Sequence, residues 1–181
     1  MPILPVVFAG GDEGTWRVRS VSAVVGAPLP AVERLAVLEG TRGAPPGITW
    51  ALLGVVGHER YVEGSEHEEL AARSPSLGRP EATRAALISI RKSEAWWALS
   101  QDERRAIFEE QSRHIATGLK YLPAVARRLH HSRDLGEPFD FLTWFEFPPA
   151  DEAGFDELVA VLRATDEWGF VEREVEIRLE R

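Results

Sequence analysis

From residue 81 onward the apolar pattern switches between a period of two and a period of 3.6, in the order strand, helix, strand, strand, helix, strand. That order leaves the chain few folds. Residues 85–92 alternate as a strand, with Ala86, Ile88 and Ile90 on one face and Lys92 ending the same row. Ser100 with Glu103 forms a capping box for a helix expected to run to about Thr117, with Gly118 and Pro123 as its stop signals. Residues 124–132 alternate again. The turn Asp134-Leu135-Gly136-Glu137-Pro138 then leads into residues 139–147, which put Phe139, Phe141, Thr143, Phe145 and Phe147 on one side. Phe155, Leu158, Val159 and Leu162 have helical spacing. The last strand sends Val171, Val175, Ile177 and Leu179 inward and Glu172, Glu174, Glu176 and Arg178 outward.

Such an order is ferredoxin-like: one sheet with helices on one face, its other face needing a cover. The first half echoes it incompletely. Strands are expected at 3–8, 16–25 and 48–56, a short helix at 30–38, a further extended pair at Tyr61-Val62 and a polar helix at 65–73. Pro75, Gly78 and Pro80 mark the joint. The expected fold class is therefore α+β and ferredoxin-like, with a reduced N-terminal unit over 1–80 and a complete C-terminal unit over 81–181.

Charge and composition remove several function classes. A net charge of -8 over 181 residues argues against nucleic acid, whose phosphates need a basic face. The absence of cysteine excludes disulfides, thiolate zinc sites, thiol nucleophiles and covalently attached c-type haem. No segment approaches the roughly 20 apolar residues of a membrane helix, and residues 1–10 lack a basic leader. No membrane partner and a cytoplasmic location are the expectations.

Four charged or ionisable positions stand out. His114 lies at the edge of a helical stripe with Ile107, Gln111 and Ile115; it is either a core histidine satisfied by a backbone carbonyl or an axial ligand to haem iron. Arg127 shares a strand row with Val125 and Leu129, while Arg128 and His130 take the other face. Its guanidinium cannot shed its charge, so it either snorkels to an edge, pairs with a carboxylate or binds an anion in an apolar pocket. Lys92 and Glu167 are either surface charges or partners at a shared rim. Trp96-Trp97 reads as core packing with one indole near the surface. His130 and His131 point to opposite faces and cannot ligate one metal together, and the sequence has no phosphate loop, H-E-x-x-H or nucleophile elbow.

The run Lys92-Ser93-Glu94-Ala95-Trp96-Trp97-Ala98-Leu99, followed by Arg104, Phe108, His114 and Tyr121-Leu122-Pro123, resembles the haem-binding half of the chlorite dismutase family. Arg127-Arg128-Leu129-His130-His131-Ser132-Arg133-Asp134-Leu135 and Phe139-Asp140-Phe141-Leu142-Thr143-Trp144-Phe145-Glu146 continue the resemblance. The chain length is similar to that of the compact dimeric branch, which implies a fold of the dimeric α+β barrel type and a homodimer.

Position by position, the resemblance implies His114 as proximal ligand to haem b iron, and Glu167 as acceptor from its other ring nitrogen with Lys92 as partner. It implies Arg127 as the distal arginine, Thr143 and Phe145 as pocket lining, and Trp96 and Tyr61 at the haem edge or propionates. The implied reaction splits chlorite into chloride and dioxygen. In some compact members a glutamine between the two units pairs with the distal arginine; here the only glutamines are Gln101 and Gln111, and that stretch offers Ser74. Two other readings are a coproheme decarboxylase, a branch that generally lacks the arginine and uses a tyrosine, and a non-catalytic haem-storing or haem-sensing barrel.

Overall fold

The computed structural model describes residues 3–56, 74–121 and 123–181. Tyr61-Val62 and the helix expected at 65–73 lie outside the described residues. Eight strands form a closed antiparallel barrel: β1 (Leu4–Gly11), β2 (Trp16–Val25), β3 (Arg34–Glu39), β4 (Trp50–Val56), β5 (Arg84–Lys92), β6 (Ala126–His131), β7 (Phe141–Phe147) and β8 (Val171–Glu180). Their order around the barrel is β1-β3-β2-β8-β5-β7-β6-β4. The quartet β4-β1-β3-β2 and the quartet β8-β5-β7-β6 thus have the same ferredoxin-like permutation, joined at β2–β8 and at β6–β4.

In the second quartet, helices make the crossovers. Between β5 and β6 run α1 (Glu94–Ala98), α2 (Gln101–Arg105), a π-helical turn (Ala106–Gln111) and α3 (His114–Lys120); between β7 and β8 runs α4 (Glu152–Arg163). The capping box is present, Ser100 Oγ accepting from the Glu103 amide and the Glu103 carboxylate accepting from the Ser100 amide at 2.8 Å. The helix does not continue to Thr117 and stop at Gly118, however. It breaks at Arg113 (φ 51°) and restarts at His114, running through Gly118 to Lys120.

In the first quartet no crossover helix occurs among the described residues. Gly11 and Arg17 both oppose Arg34 of β3, so β2 starts where β1 stops and four residues suffice to join them. The stretch expected as a helix at 30–38 instead enters β3 between β1 and β2. Its apolar spacing suits either period, and pairing on both edges decides for the strand.

The barrel interior is packed by Phe8, Trp16, Leu35, Leu52, Leu87, Leu142, Trp144, Ile177 and Leu179. A second apolar cluster lies outside the barrel, between the sheet and the helices, around Ala86, Ile88, Ile90, Phe145, Phe147 and Phe155. Phe139, expected in the same row as Phe141, sits in the interior cluster because it precedes β7 and escapes its alternation. A register shift between Arg91 and Lys92 turns Val171 toward the helix-side cluster rather than the interior. Glu174 and Glu176 point away from the interior as expected, yet both are buried. Arg163 of α4 donates to Glu174 at 2.5 Å and to Glu176 at 2.7 Å, and the Trp168 indole donates to Glu174 at 2.8 Å.

Candidate functional site

Between the helices and the outer face of β5, β7 and β6 lies a mostly apolar cavity that opens to solvent. Strand alternation supplies the sheet wall: Ile88 and Ile90 from β5, Arg127, Leu129 and His131 from β6, and Phe141, Thr143 and Phe145 from β7. The register places Arg127 beside Phe145 and Leu129 beside Thr143. Phe108, His114, Ile115 and Gly118 form the facing wall, and Leu158, Val159 and Leu162 of α4 close one side.

His114, the first residue of α3, stacks on Phe108 with centroids 4.3 Å apart and lies nearly parallel to Trp168 at 6.3 Å. Its Nδ1 is 2.8 Å from Glu167 Oε2, which leaves Nε2 as the nitrogen without that partner. Lys92 Nζ donates to the other carboxylate oxygen, Glu167 Oε1, at 2.7 Å. Both charged side chains are almost fully buried, so the pair is far less screened than a surface ion pair. Burial would raise the Glu167 carboxyl, but the neighbouring His114 and Lys92 outweigh it and bring its pKa down to about 2. Burial pushes the Lys92 ammonium down, against the opposing pull of Glu167 and Asp140. The ammonium also stands over the Trp96 ring at 4.3 Å, a cation–π contact that offsets part of its lost hydration.

The structure therefore brings Lys92, Trp96, His114, Arg127, Thr143, Phe145 and Glu167 to one cavity. Tyr61 lies outside the described residues. Ser74, in the stretch where a glutamine would sit, is exposed and does not line the cavity. Trp97 is half-buried outside it, sandwiched by Phe141 and the Arg133 guanidinium.

Three contributors escaped sequence reasoning. Asp140 accepts from the Lys92 amide at 2.7 Å and from the Trp97 indole at 3.2 Å, fixing the end of β5. Ser112 accepts from the Glu167 amide at 3.1 Å. Trp168 stacks beside His114. Each acts across a long separation in sequence, where periodicity carries no signal; only the neighbouring Glu167 could have drawn attention to Trp168.

An antiparallel barrel of two ferredoxin-like quartets, with an apolar cavity under the helices of one quartet, defines an α+β barrel of the ferredoxin-like class. The chain belongs to the chlorite dismutase family, whose model matches residues 47–179. The chlorite dismutase of Ideonella dechloratans is 29% identical over 122 residues, covering 66% of this chain and 41% of that protein. The match thus spans about two-fifths of that curated relative's length. The crystal structure of a dimeric chlorite dismutase from Nitrobacter winogradskyi is 57% identical, with a TM-score of 0.90 over 97% of this chain and 99% of the other. The chlorite dismutase of Candidatus Nitrospira defluvii in complex with imidazole shares the fold at a TM-score of 0.68 and 22% identity, over 98% of this chain and 91% of the other.

Proposed function

We propose that this chain is a chlorite dismutase that binds haem b in the cavity and acts as a homodimer. The observation that carries the proposal is the buried His114–Glu167–Lys92 chain on one wall of an apolar cavity whose sheet wall holds Arg127. Full-length similarity to a dimeric chlorite dismutase supports both the activity and the dimer.

The residues fit the group. Among the described residues no cluster of three or more histidines and carboxylates could hold a bare metal ion, whereas a porphyrin brings four ligands of its own and asks the protein for one. His114 Nε2 is that ligand, because Glu167 fixes Nδ1 as the protonated nitrogen and so the tautomer. Phe108, Phe141 and Phe145 supply flat apolar surface. Trp96 would meet the edge of the macrocycle, and Thr143 lines the cavity beside Leu129. Every described residue lining the cavity comes from Ile88 onward, which supports a division into a reduced unit, 1–80, and a haem-binding unit, 81–181.

Bound there, the haem would supply redox-active iron chemistry. The ionised Glu167 makes the imidazole a stronger donor, and Lys92 holds that carboxylate in its charged form. Arg127, permanently cationic, binds chlorite through charge-assisted hydrogen bonds to its oxygens. The same guanidinium would hold chlorite and its anionic fragments inside the cavity until both oxygens leave together as dioxygen and chloride is released, the haem supplying the oxygen-transfer chemistry. The aromatic walls exclude water and strengthen the field of Arg127. Arg127 in the wall, with no tyrosine among the described lining residues, favours this reaction over coproheme decarboxylation.

Hemin-loaded protein should release dioxygen on addition of chlorite, followed with an oxygen electrode. Arg127→Ala should keep hemin binding, lose roughly 100-fold in turnover and release more hypochlorite. His114→Ala should change the hemin spectrum. An unchanged oxygen yield in the first variant refutes the anion-holding role of Arg127, and an unchanged spectrum in the second refutes His114 as the ligand.

A further inference from the structure

The break at Arg113 creates a problem that the chain solves with a side chain from the preceding turn. A new helix starting at His114 has amide groups in its first turn with no intrahelical acceptor; the Thr117 amide is the first to find one, Arg113 O at 2.8 Å. Arg113 occupies the capping position, yet its side chain makes no capping hydrogen bond, and its left-handed backbone is unfavourable for a residue bearing a Cβ. Glu109, in the π-helical turn, reaches forward instead. Its Oε2 accepts from the Ile115 amide at 2.6 Å and its Oε1 from the Ala116 amide at 3.2 Å. Two bonds from one planar carboxylate fix both the axial position and the rotation of α3 relative to the turn.

Rotation matters here because His114 is the first residue of that helix. On the same broken segment, Ser112 accepts from the Glu167 amide. The segment 109–114 therefore grips both members of the His114–Glu167 pair, one through the α3 backbone and the other through a hydroxyl. We infer that Glu109 is a positioning residue for His114, setting the imidazole against Glu167 through the start of α3. This rests on the haem-ligand reading of His114, and the left-handed Arg113 is the strain that the arrangement overcomes.

The test uses the whole chain, free of haem and loaded with hemin. In the haem-free wild type, the Ile115 and Ala116 amides should be protected from deuterium exchange. Exchange at the rate of open chain would overturn the inference with no variant needed. With hemin as the probe, Glu109→Ala should weaken binding by on the order of 10-fold to 100-fold, the usual cost of losing a group that orients a metal ligand. It should also move the ferric/ferrous midpoint potential upward, because a loosened imidazole donates less to ferric iron. Glu109→Gln, which keeps one acceptor, should recover most of the affinity. Wild-type affinity and potential in Glu109→Ala, alongside a His114→Ala variant that binds hemin poorly, overturns the positioning role alone. Unimpaired hemin binding in His114→Ala overturns the haem-ligand reading instead.

Discussion

Lowering the pH from 7 to 4 should remove about 3 kcal/mol of stability through one side chain, His130. His130 is 1% exposed, packed edge-on against Phe8 with centroids 5.0 Å apart, and its Nδ1 donates to the Leu142 carbonyl at 2.9 Å. Burial is the main force lowering its pKa from 6.5 to about 4. The nearby Arg128 and His131 act in the same direction, against the Leu142 carbonyl and Glu39. Above pH 6.5 the ring is neutral in folded and unfolded chains alike and contributes nothing. Between 6.5 and 4 the unfolded chain takes a proton that the folded ring refuses, so stability falls as the pH falls. The gap of about 2.5, at about 1.4 kcal/mol for each, sets a limit of about 3.5 kcal/mol, of which about 3 is lost by pH 4, where half the folded rings are protonated, a sizeable share of a typical total of about 5–15 kcal/mol. Glu167 acts in a lower window, from the ordinary carboxylate value of 4.5 down to about 2. The assay is urea unfolding at several pH values for the wild type and for His130→Asn, whose amide can still donate to Leu142 but does not titrate. The wild type should lose about 3 kcal/mol more than the variant between pH 7 and pH 4. Parallel curves, or an NMR titration placing His130 near 6.5, would refute the reasoning.

Two further outcomes follow from the glycines. A Cβ added at Gly54 would lie 2.6 Å from the Cβ of His130 and 3.3 Å from Leu142 Cδ1, so Gly54→Ala should cost about 1–3 kcal/mol in thermal unfolding with hemin uptake retained; an unchanged melting temperature would contradict the packing. A Cβ at Gly118 would meet nothing within 4 Å and would project from a cavity-lining position on α3. Gly118→Leu should therefore raise helix stability by up to about 1 kcal/mol while impeding hemin uptake in an optical titration; normal uptake would count against the cavity as the haem site.

What the sequence revealed and what it hid divide along a physical line. A strand has a fixed period, so Arg127 and Leu129 could be placed on one face and Arg128 and His130 on the other before any coordinates, and the structure agrees. A capping box is local chemistry, and Ser100–Glu103 forms as read. Alternation says which face a residue takes but not what covers that face. Glu174 and Glu176 therefore looked solvated, when Arg163 and α4 bury them. The break at Arg113 left no trace because neither glycine nor proline marks it; the bonds that sustain it run from Glu109 and to Glu167, and no local propensity encodes them. Lys92 and Glu167 could be suspected of sharing a rim, but their ion pair spans a separation that the β5–β8 pairing brings to 2.7 Å.

Closure also explains why the described lining of this cavity comes from the second half. A closed sheet has an inside and an outside, and here apolar side chains from both quartets line the inside, beside a second pocket at Phe8, Trp16, His130 and Trp144. The cavity that holds His114 and Arg127 lies outside, where the cover is made by the connections between strands. In the first quartet the link after β3 is a coil held to β1 at both ends, the Gly40 amide on Pro5 O and the Thr49 amide on Gly10 O, and a coil tied down in this way leaves little room beneath it. In the second quartet the cover is helical and meets the sheet through side chains, so the gap is set by their size. Gly118 supplies no side chain to that wall. Among the described residues, the N-terminal connections thus give their strands no helical cover, while the hydrogen-bonded ring holds β5, β7 and β6 in register beneath the cavity.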